Sequence, residues 1–471
     1  MTTSHSSSAP IRPVPSEATT VVVGAGYAGL SAALALHDEG IDVLVLEGSD
    51  RVGGRVWSER VDDGSGAQLV IDHGGQWVGP TQARLLNAAT RFGCATFPTY
   101  NAGDHLELWT DGTCRPFRGA GPSDAPGVDA YVEAADAIDA LANTIDLENP
   151  TATRHLAQWD SETVQSYLDR AVADESARLR LALAVQGVWT VEPRDISLFH
   201  LLFYVASAGG FDQLMETEGC AQERRFVGGA QSVALAMADH LGDRIALRTP
   251  VRHIERLDGG GVVVETERGP VRAARVVVAT SPGAAVRIRF TPTLPVSRNR
   301  WMERSPMGDV AKIHTVYDTP FWRADGLSGE ATTYGDHSVG VVFDNSPEDG
   351  AVGILVSFVY ADRQRRWSAL APAERRADVL ATLGALFGER AANPLRYTEK
   401  NWPEDSWAHG GYAANPAPGV WLEHGETGWR TACGPIHWAG TETSSVWNGY
   451  IDGAIASGQR AAAEIAAALR S

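Results

Sequence analysis

This 471-residue chain carries 40 basic side chains, and only two of them, Lys312 and Lys400, are lysine; the other 38 are arginine. A lysine in such a background asks what an ammonium does there that a guanidinium would not. The ammonium is a compact charge with three rotatable donors, whereas the guanidinium is a larger, planar fork. Lys312 stands in 306-PMGDVAKIHTVYDTPFW-322, an alternating, β-branched run that predicts a strand with Lys312, His314 and Val316 on one face. A solvated lysine at a strand edge is the plain alternative, and the bias toward arginine weakens it. A second chemistry lies near the N-terminus. Thr20-Val21-Val22-Val23 runs into Gly24-Ala25-Gly26-Tyr27-Ala28-Gly29, and Glu47 follows 21 residues after Gly26. Gly24, Gly26 and Gly29 allow a tight turn, close approach of a pyrophosphate and close helix packing, and Glu47 suits ribose hydroxyls. A carboxylate there repels a 2′-phosphate, which disfavours NADP and leaves NAD or FAD.

The elements that must position these groups are legible. The spacing in 30-LSAALALHDEG-40 predicts a helix stopped by Gly40, and 42-DVLVL-46 a second buried strand ending at Glu47. Glycine pairs in 51-RVGGRVWS-58 and 72-DHGGQWVGPTQ-82 let the backbone approach a large flat ligand. Gly54, Gly74, Gly75, Gln76 and Trp77 belong to these runs, and Arg55 is placed to pair with a phosphate. Segments 129–145, 162–185 and 373–387 predict amphipathic helices.

A net charge of −18 argues against nucleic acid. The four cysteines are scattered and suggest neither zinc nor redox pairing. No histidine spacing suggests a metal, and His73 and His437 read as structural. Residues 1–17, rich in Ser, Thr and Pro, are expected to be a disordered tail. Neither a signal peptide nor a membrane-spanning run is evident, so a cytoplasmic protein without membrane association is expected. A homodimer is compatible with everything in the sequence.

Arg-Val-Gly-Gly-Arg after Glu47, followed by Gly-Gly-Gln-Trp-Val-Gly-Pro-Thr-Gln, resembles the flavin-dependent amine oxidases, the monoamine oxidases most closely. The resemblance recurs in 222-QERRFVGGAQSVA-234, in 249-TPVRHI-254 with Val251 toward an adenine, in 275-RVVVATSP-282 and in the Lys312 strand. It closes with 437-HWAGTETSSVWNGYIDGAIASGQRAA-462, which holds Gly440, Glu442 and Ile451. It implies a two-domain α/β (α+β) fold with a Rossmann-like FAD domain over 18–95, 226–303 and 405–471. A mixed sheet-plus-helix substrate domain would take 96–225 and 304–404. The cofactor implied is FAD.

The resemblance also assigns roles. Lys312 matches the lysine that holds a water beside the flavin, and Trp402, two residues after Lys400, matches a tryptophan packed near the ring. Tyr412 in 409-HGGYAANPAPG-419 and Tyr450 match the paired aromatics that orient the amine in front of the flavin. Gln222, Met215, Trp189 and Phe343 are the further expected substrate contacts. The mitochondrial members link FAD to a cysteine just before the first tyrosine. Gly411 stands there, so FAD is expected without a covalent bond. The membrane tail of those members is not expected either.

The implied reaction is oxidation of a primary aryl- or alkyl-monoamine to an imine, hydrolysed to an aldehyde, with O2 reduced to H2O2. Three alternatives stay open: another amine (cyclic, diamine or amino acid), a non-oxygen acceptor, or a non-catalytic flavin-bearing binding module. A diamine site would need a carboxylate deep in the cavity, and an amino-acid site an arginine clamp.

Overall fold

A computed structural model describes residues 13–62, 68–119 and 121–470. Of the expected tail, residues 1–12 lie outside this range, and Glu17 already opens the first strand. That strand, Glu17–Val23, pairs in parallel with Val43–Leu46 on one side and Gly269–Val278 on the other. Its position explains its run of apolar residues: Val21, Val22 and Val23 lie inside a parallel sheet covered on both faces. Eight strands make up this sheet, including Val251–Arg256 and, beside Gly269–Val278, the late strand Ile436–Trp438.

Helices Tyr27–Asp38 and Ile451–Arg470 pack closely against one another on this domain. Their contact depends on Gly458, where a side chain would collide with the Ala28 carbonyl at 2.2 Å. The helix expected over 162–185 is two helices, Val164–Ala171 and Glu175–Trp189. Asp174 explains the break, because its carboxylate accepts from the Ala177 amide at 2.8 Å and caps the second helix.

A seven-stranded sheet forms the second layer system, in the order Arg396–Asn401, Val310–Tyr317, Gly353–Tyr360, Val341–Asp344, Leu327–Thr333, Asp104–Leu108, Cys114–Phe117. Every residue of Val310–Tyr317 is buried, and the strand lies between two neighbours. Lys312 is therefore not at a sheet edge. The hairpin of Ser58–Asp62 and Gln68–Asp72 packs on this strand through Val61, Ile71 and Val316. A separate helical cluster gathers around Phe199, Leu201, Phe203 and Trp421. Trp301, Trp421 and Trp429 join this cluster although they fall in segments expected to belong to the nucleotide domain.

Candidate active site

A cavity of about 940 Å³ runs from the glycine turn at Gly24 and Gly26 to Tyr412 and Tyr450, with Lys312 on its wall. At the nucleotide end the chain turns at Gly24 with φ +102°, and a side chain there would meet the Ala279 carbonyl at 2.9 Å. Gly29 does not line the cavity; a Cβ on it would lie 1.9 Å from the Gly24 carbonyl oxygen, so it permits helix and turn to touch. Ala25 is also buried away from the cavity, and its amide donates to Glu47 at 2.6 Å. The second Glu47 oxygen accepts from the Ser49 amide at 2.7 Å. Glu47 thus braces the turn with backbone bonds and still borders the cavity, where its remaining lone pairs can meet a ribose. Burial pushes its carboxyl above the usual range. Val251 lines the same end.

In the middle, Gly54, Arg55, Gly74, Gly75, Gln76, Trp77, Trp402, Gly440 and Ile451 all line the cavity. One expectation changes here. Glu442 does not face the cavity; it is buried and grips Arg55 at 2.6 and 3.2 Å. Arg55 also donates to the Tyr412 carbonyl at 2.8 Å. These bonds tie the turn after Glu47 to the Tyr412 loop, and Arg55 still lines the cavity, with N–H groups left to meet a phosphate. The Trp402 indole donates to the His73 carbonyl at 2.9 Å, which fixes its ring at the wall.

Lys312 is 2% exposed, and its ammonium donates to the Gly74 carbonyl at 2.8 Å and to Gln76 Oε1 at 2.5 Å. Gln76 is oriented in turn by donation to Asn345 at 2.8 Å. Burial pushes the lysine down to about 7, opposed by Asp72 nearby and reinforced by Arg225. Two of the three donors are held, so one remains for the cavity. Lys400 lies directly opposite Lys312 on the adjoining strand. It is engaged with Asp405 at 2.7 Å and sits over the rings of Trp57 and Trp402.

The far end is aromatic. Tyr412 and Tyr450 line it together with Phe343, Met215 and Gln222, and so do Tyr204 and Tyr360, which the sequence does not mark. Tyr450 donates its hydroxyl to the Leu214 carbonyl at 2.9 Å, and Gln222 donates its amide to the same oxygen at 3.0 Å. One carbonyl therefore fixes a cage ring and the glutamine at once. Burial raises both cage phenols, so they remain neutral. Trp189 does not reach the cavity; it is 2% exposed and packs against Tyr204 at 5.0 Å. Its position at the end of an amphipathic helix suits core packing, and nothing local distinguishes that from a pocket wall.

The cavity wall also carries charge. Arg180 and Glu107 form a buried bidentate pair at 2.5 and 3.1 Å, with the guanidinium over Trp109. Among the described residues Glu330 has no such cation, only His105 at 3.6 Å. Its remaining 24% of side-chain exposure faces the enclosed space. Burial, with Glu216 adding to it, raises its carboxyl to about 8.

The glycine cradle, the missing Cβ atoms along it and the length of the cavity fit a flat dinucleotide. A nucleotide cradle that opens past a buried lysine into an aromatic chamber fits a flavoprotein that acts on amines. The chain belongs to the flavin-containing amine oxidoreductase family, whose model matches residues 27–466. It is 40% identical over 451 residues to a Mycobacterium tuberculosis chain bearing the name putative flavin-containing monoamine oxidase AofH, covering 95% of this chain and 96% of that one. Cyclohexylamine oxidase from Brevibacterium oxydans superposes with a TM-score of 0.92 at 34% identity, covering 96% and 100% of the two chains. Putrescine oxidase bound to putrescine superposes with a TM-score of 0.90 at 33% identity, covering 96% and 99%. The protein is an FAD enzyme that oxidises amines, with a two-domain α/β fold. None of its four cysteines lines the cavity, and Gly411 does, so the flavin is held without a thioether. Among the described residues no helix is long and apolar enough to cross a membrane.

Proposed function

We propose that this protein oxidises a primary aryl- or alkyl-monoamine, reduces O2 to H2O2 and works in the cytoplasm. We further assign the nucleotide domain to 18–95, 226–303 and 405–471 and the substrate domain to 96–225 and 304–404. The observation that carries the reading is the meeting of Tyr412, Tyr450 and Lys312 in one cavity. FAD supplies the hydride acceptor. The chain supplies position: Gly24, Gly26, Gly54, Gly74 and Gly75 admit the cofactor, and Trp402 and Ile451 bound it. Tyr412 and Tyr450 align the amine so that its α C–H points along the cavity toward the Lys312 wall. The apolar rings exclude water, which otherwise competes for the iminium carbon. Lys312 offers one free donor and a charge beside the place where oxygen is reduced. No side-chain base is required.

The test is anaerobic mixing of the yellow protein with benzylamine, phenethylamine, cyclohexylamine, putrescine and an amino acid, followed by air. Bleaching by a monoamine with fast recovery and stoichiometric peroxide is expected. Slow recovery in air would replace O2 with another acceptor, and no bleaching would remove the amine assignment.

Glu330 favours a second reading, a diamine whose distal ammonium meets the carboxylate. An ammonium beside Glu330 relieves the cost that raises its pKa. Glu330→Gln separates the two readings: it lowers kcat/KM for putrescine by about 10-fold or more if the diamine reading holds, one lost charge pair being about 1.4 kcal/mol. It leaves benzylamine unchanged. The amino-acid reading has less support, because Arg180, the buried arginine on the substrate wall, is already neutralised by Glu107.

A further inference from the structure

Next to Lys312 on its strand, the fold collects polar atoms that have no protein partner among the described residues, and one residue of the group, His73, also lines the cavity. The floor is the sheet face bearing Lys312 and His314, with Lys400 and Thr398 directly across on the next strand. The roof is the hairpin that carries Glu59 and Asp72, with Trp57 and His73 at its base. His314 is fully buried, and neither ring nitrogen has a partner. His73 is 3% exposed and lies edge-on to His314, with ring centroids 5.8 Å apart. The Nδ1 of His73 is also unpartnered, and so is the Thr398 hydroxyl opposite His314. The Nε2 of His73 meets Glu59 Oε2 at 2.8 Å, and the Glu59 side chain is 46% exposed.

Four orphaned polar atoms in one buried place are costly unless something satisfies them. Water does so where a site is polar and offers two to four partners, as this one does. A neutral imidazole carries one donor and one acceptor, so it can pass a proton without holding charge. Burial keeps both histidines below their ordinary range, with Lys312 and Arg225 adding to the effect at His314, while Glu59 opposes it at His73. The charged groups around this cluster are Lys312, Lys400, Asp72, Glu59 and Arg225. Lys400 is engaged by Asp405, and Asp72 accepts from Ser58 and the Ala230 amide. Lys312, whose one free donor swings between the cavity and this cluster as the ammonium rotates, and Glu59 are the two ends left to exchange protons.

We propose that His73, His314 and Thr398 enclose ordered water and form a proton path between Lys312 and solvent at Glu59. The chemistry requires such traffic. An ammonium substrate R–CH2–NH3+ loses one proton to become the neutral amine. Its α C–H then leaves as hydride, giving R–CH=NH2+. Reduction of O2 to H2O2 takes up that hydride equivalent and one proton. The path lets the first proton leave and the second arrive while the aromatic chamber stays dry. The role in turnover rests on the oxidase reading above, whereas the path itself is measurable without substrate.

Two lysines in the whole chain make the measurement direct. Holoenzyme labelled with 15N-lysine gives two Nζ signals, assigned with Lys400→Arg. Expected for Lys312 is solvent-proton exchange that slows by about 10-fold or more in His314→Leu and again in Glu59→Gln, with Lys400 as the unchanged internal control. Glu59 is a surface residue, so that variant tests the path even if His314→Leu fails to fold. Lys312 exchange equal to wild type in the variants would overturn the proposal. A crystal structure supplies a second readout: water within hydrogen-bonding distance of His314 and His73 supports the path, and a dry contact between the rings refutes it. Failure of either measurement leaves the amine reading intact, because neither uses an amine.

Discussion

Replacing Lys312 by methionine separates what the buried ammonium costs from what it does. Wild-type Lys312 falls from 10.5 to about 7 on folding, chiefly because burial strips its water. A group with a depressed basic pKa binds more protons unfolded than folded, so stability rises with pH across the window between the two values. Below about 7 both states are protonated and the full penalty applies; above about 10.5 both are neutral and it vanishes. At about 1.36 kcal/mol per unit, the penalty at pH 7 is roughly 4 kcal/mol and at pH 9.5 roughly 1 kcal/mol. Methionine is similar in length and apolar, and it has no titration. It does leave the Gly74 carbonyl and Gln76 Oε1 without a donor, at about 1–3 kcal/mol each, a loss that does not depend on pH. The stability of Lys312→Met relative to wild type therefore declines by about 3 kcal/mol between pH 7 and pH 9.5. Urea unfolding of both proteins at saturating FAD, followed by tryptophan fluorescence, measures it. A difference that is flat with pH would show that Lys312 is hydrated in the folded protein. In turnover the same variant should lose about 100-fold, the size of one preorganised electrostatic donor, while retaining FAD.

Tyr412→Ala and Tyr450→Ala should each slow anaerobic flavin bleaching by about 30-fold, about 2 kcal/mol for one desolvated ring–amine contact, with the yellow colour retained; unchanged bleaching in both would remove the cage. Hot trichloroacetic acid should release all the flavin into the supernatant, and colour left on the precipitate would contradict the absence of a thiol along the cavity. Gly29→Ala should abolish FAD binding or soluble expression, because its Cβ would lie 1.9 Å from the Gly24 carbonyl; a yellow, soluble variant would show that helix and turn can separate.

Much of the nucleotide half is legible in the sequence, because its signals are local. The Glu17–Val23 strand, the Gly24 turn and the helix from Tyr27 are contiguous, and steric rules for glycine and apolar periodicity act over a few residues. Lys312 stands out for a different reason: a chain with 38 arginines keeps very few lysines. Its burial, though, depends on strands from 353 to 401 closing on both sides.

Partner choice is not legible. Arg55 is engaged by Glu442, 387 positions away, and Lys312 meets Gly74 and Gln76 across more than 230. Trp189 and Tyr204 look alike as buried aromatic residues on helices, yet only Tyr204 reaches the cavity. Glu107 and Glu330 both line it, and only Glu107 received an arginine. The sequence alone determines the cofactor cradle and singles out Lys312, since both follow from local sterics and composition. The tertiary structure decides which charges are neutralised, which stay free and which polar atoms are gathered beside Lys312. That outcome depends on how separate segments pack, because hydrogen bonds and ion pairs reach only a few ångströms.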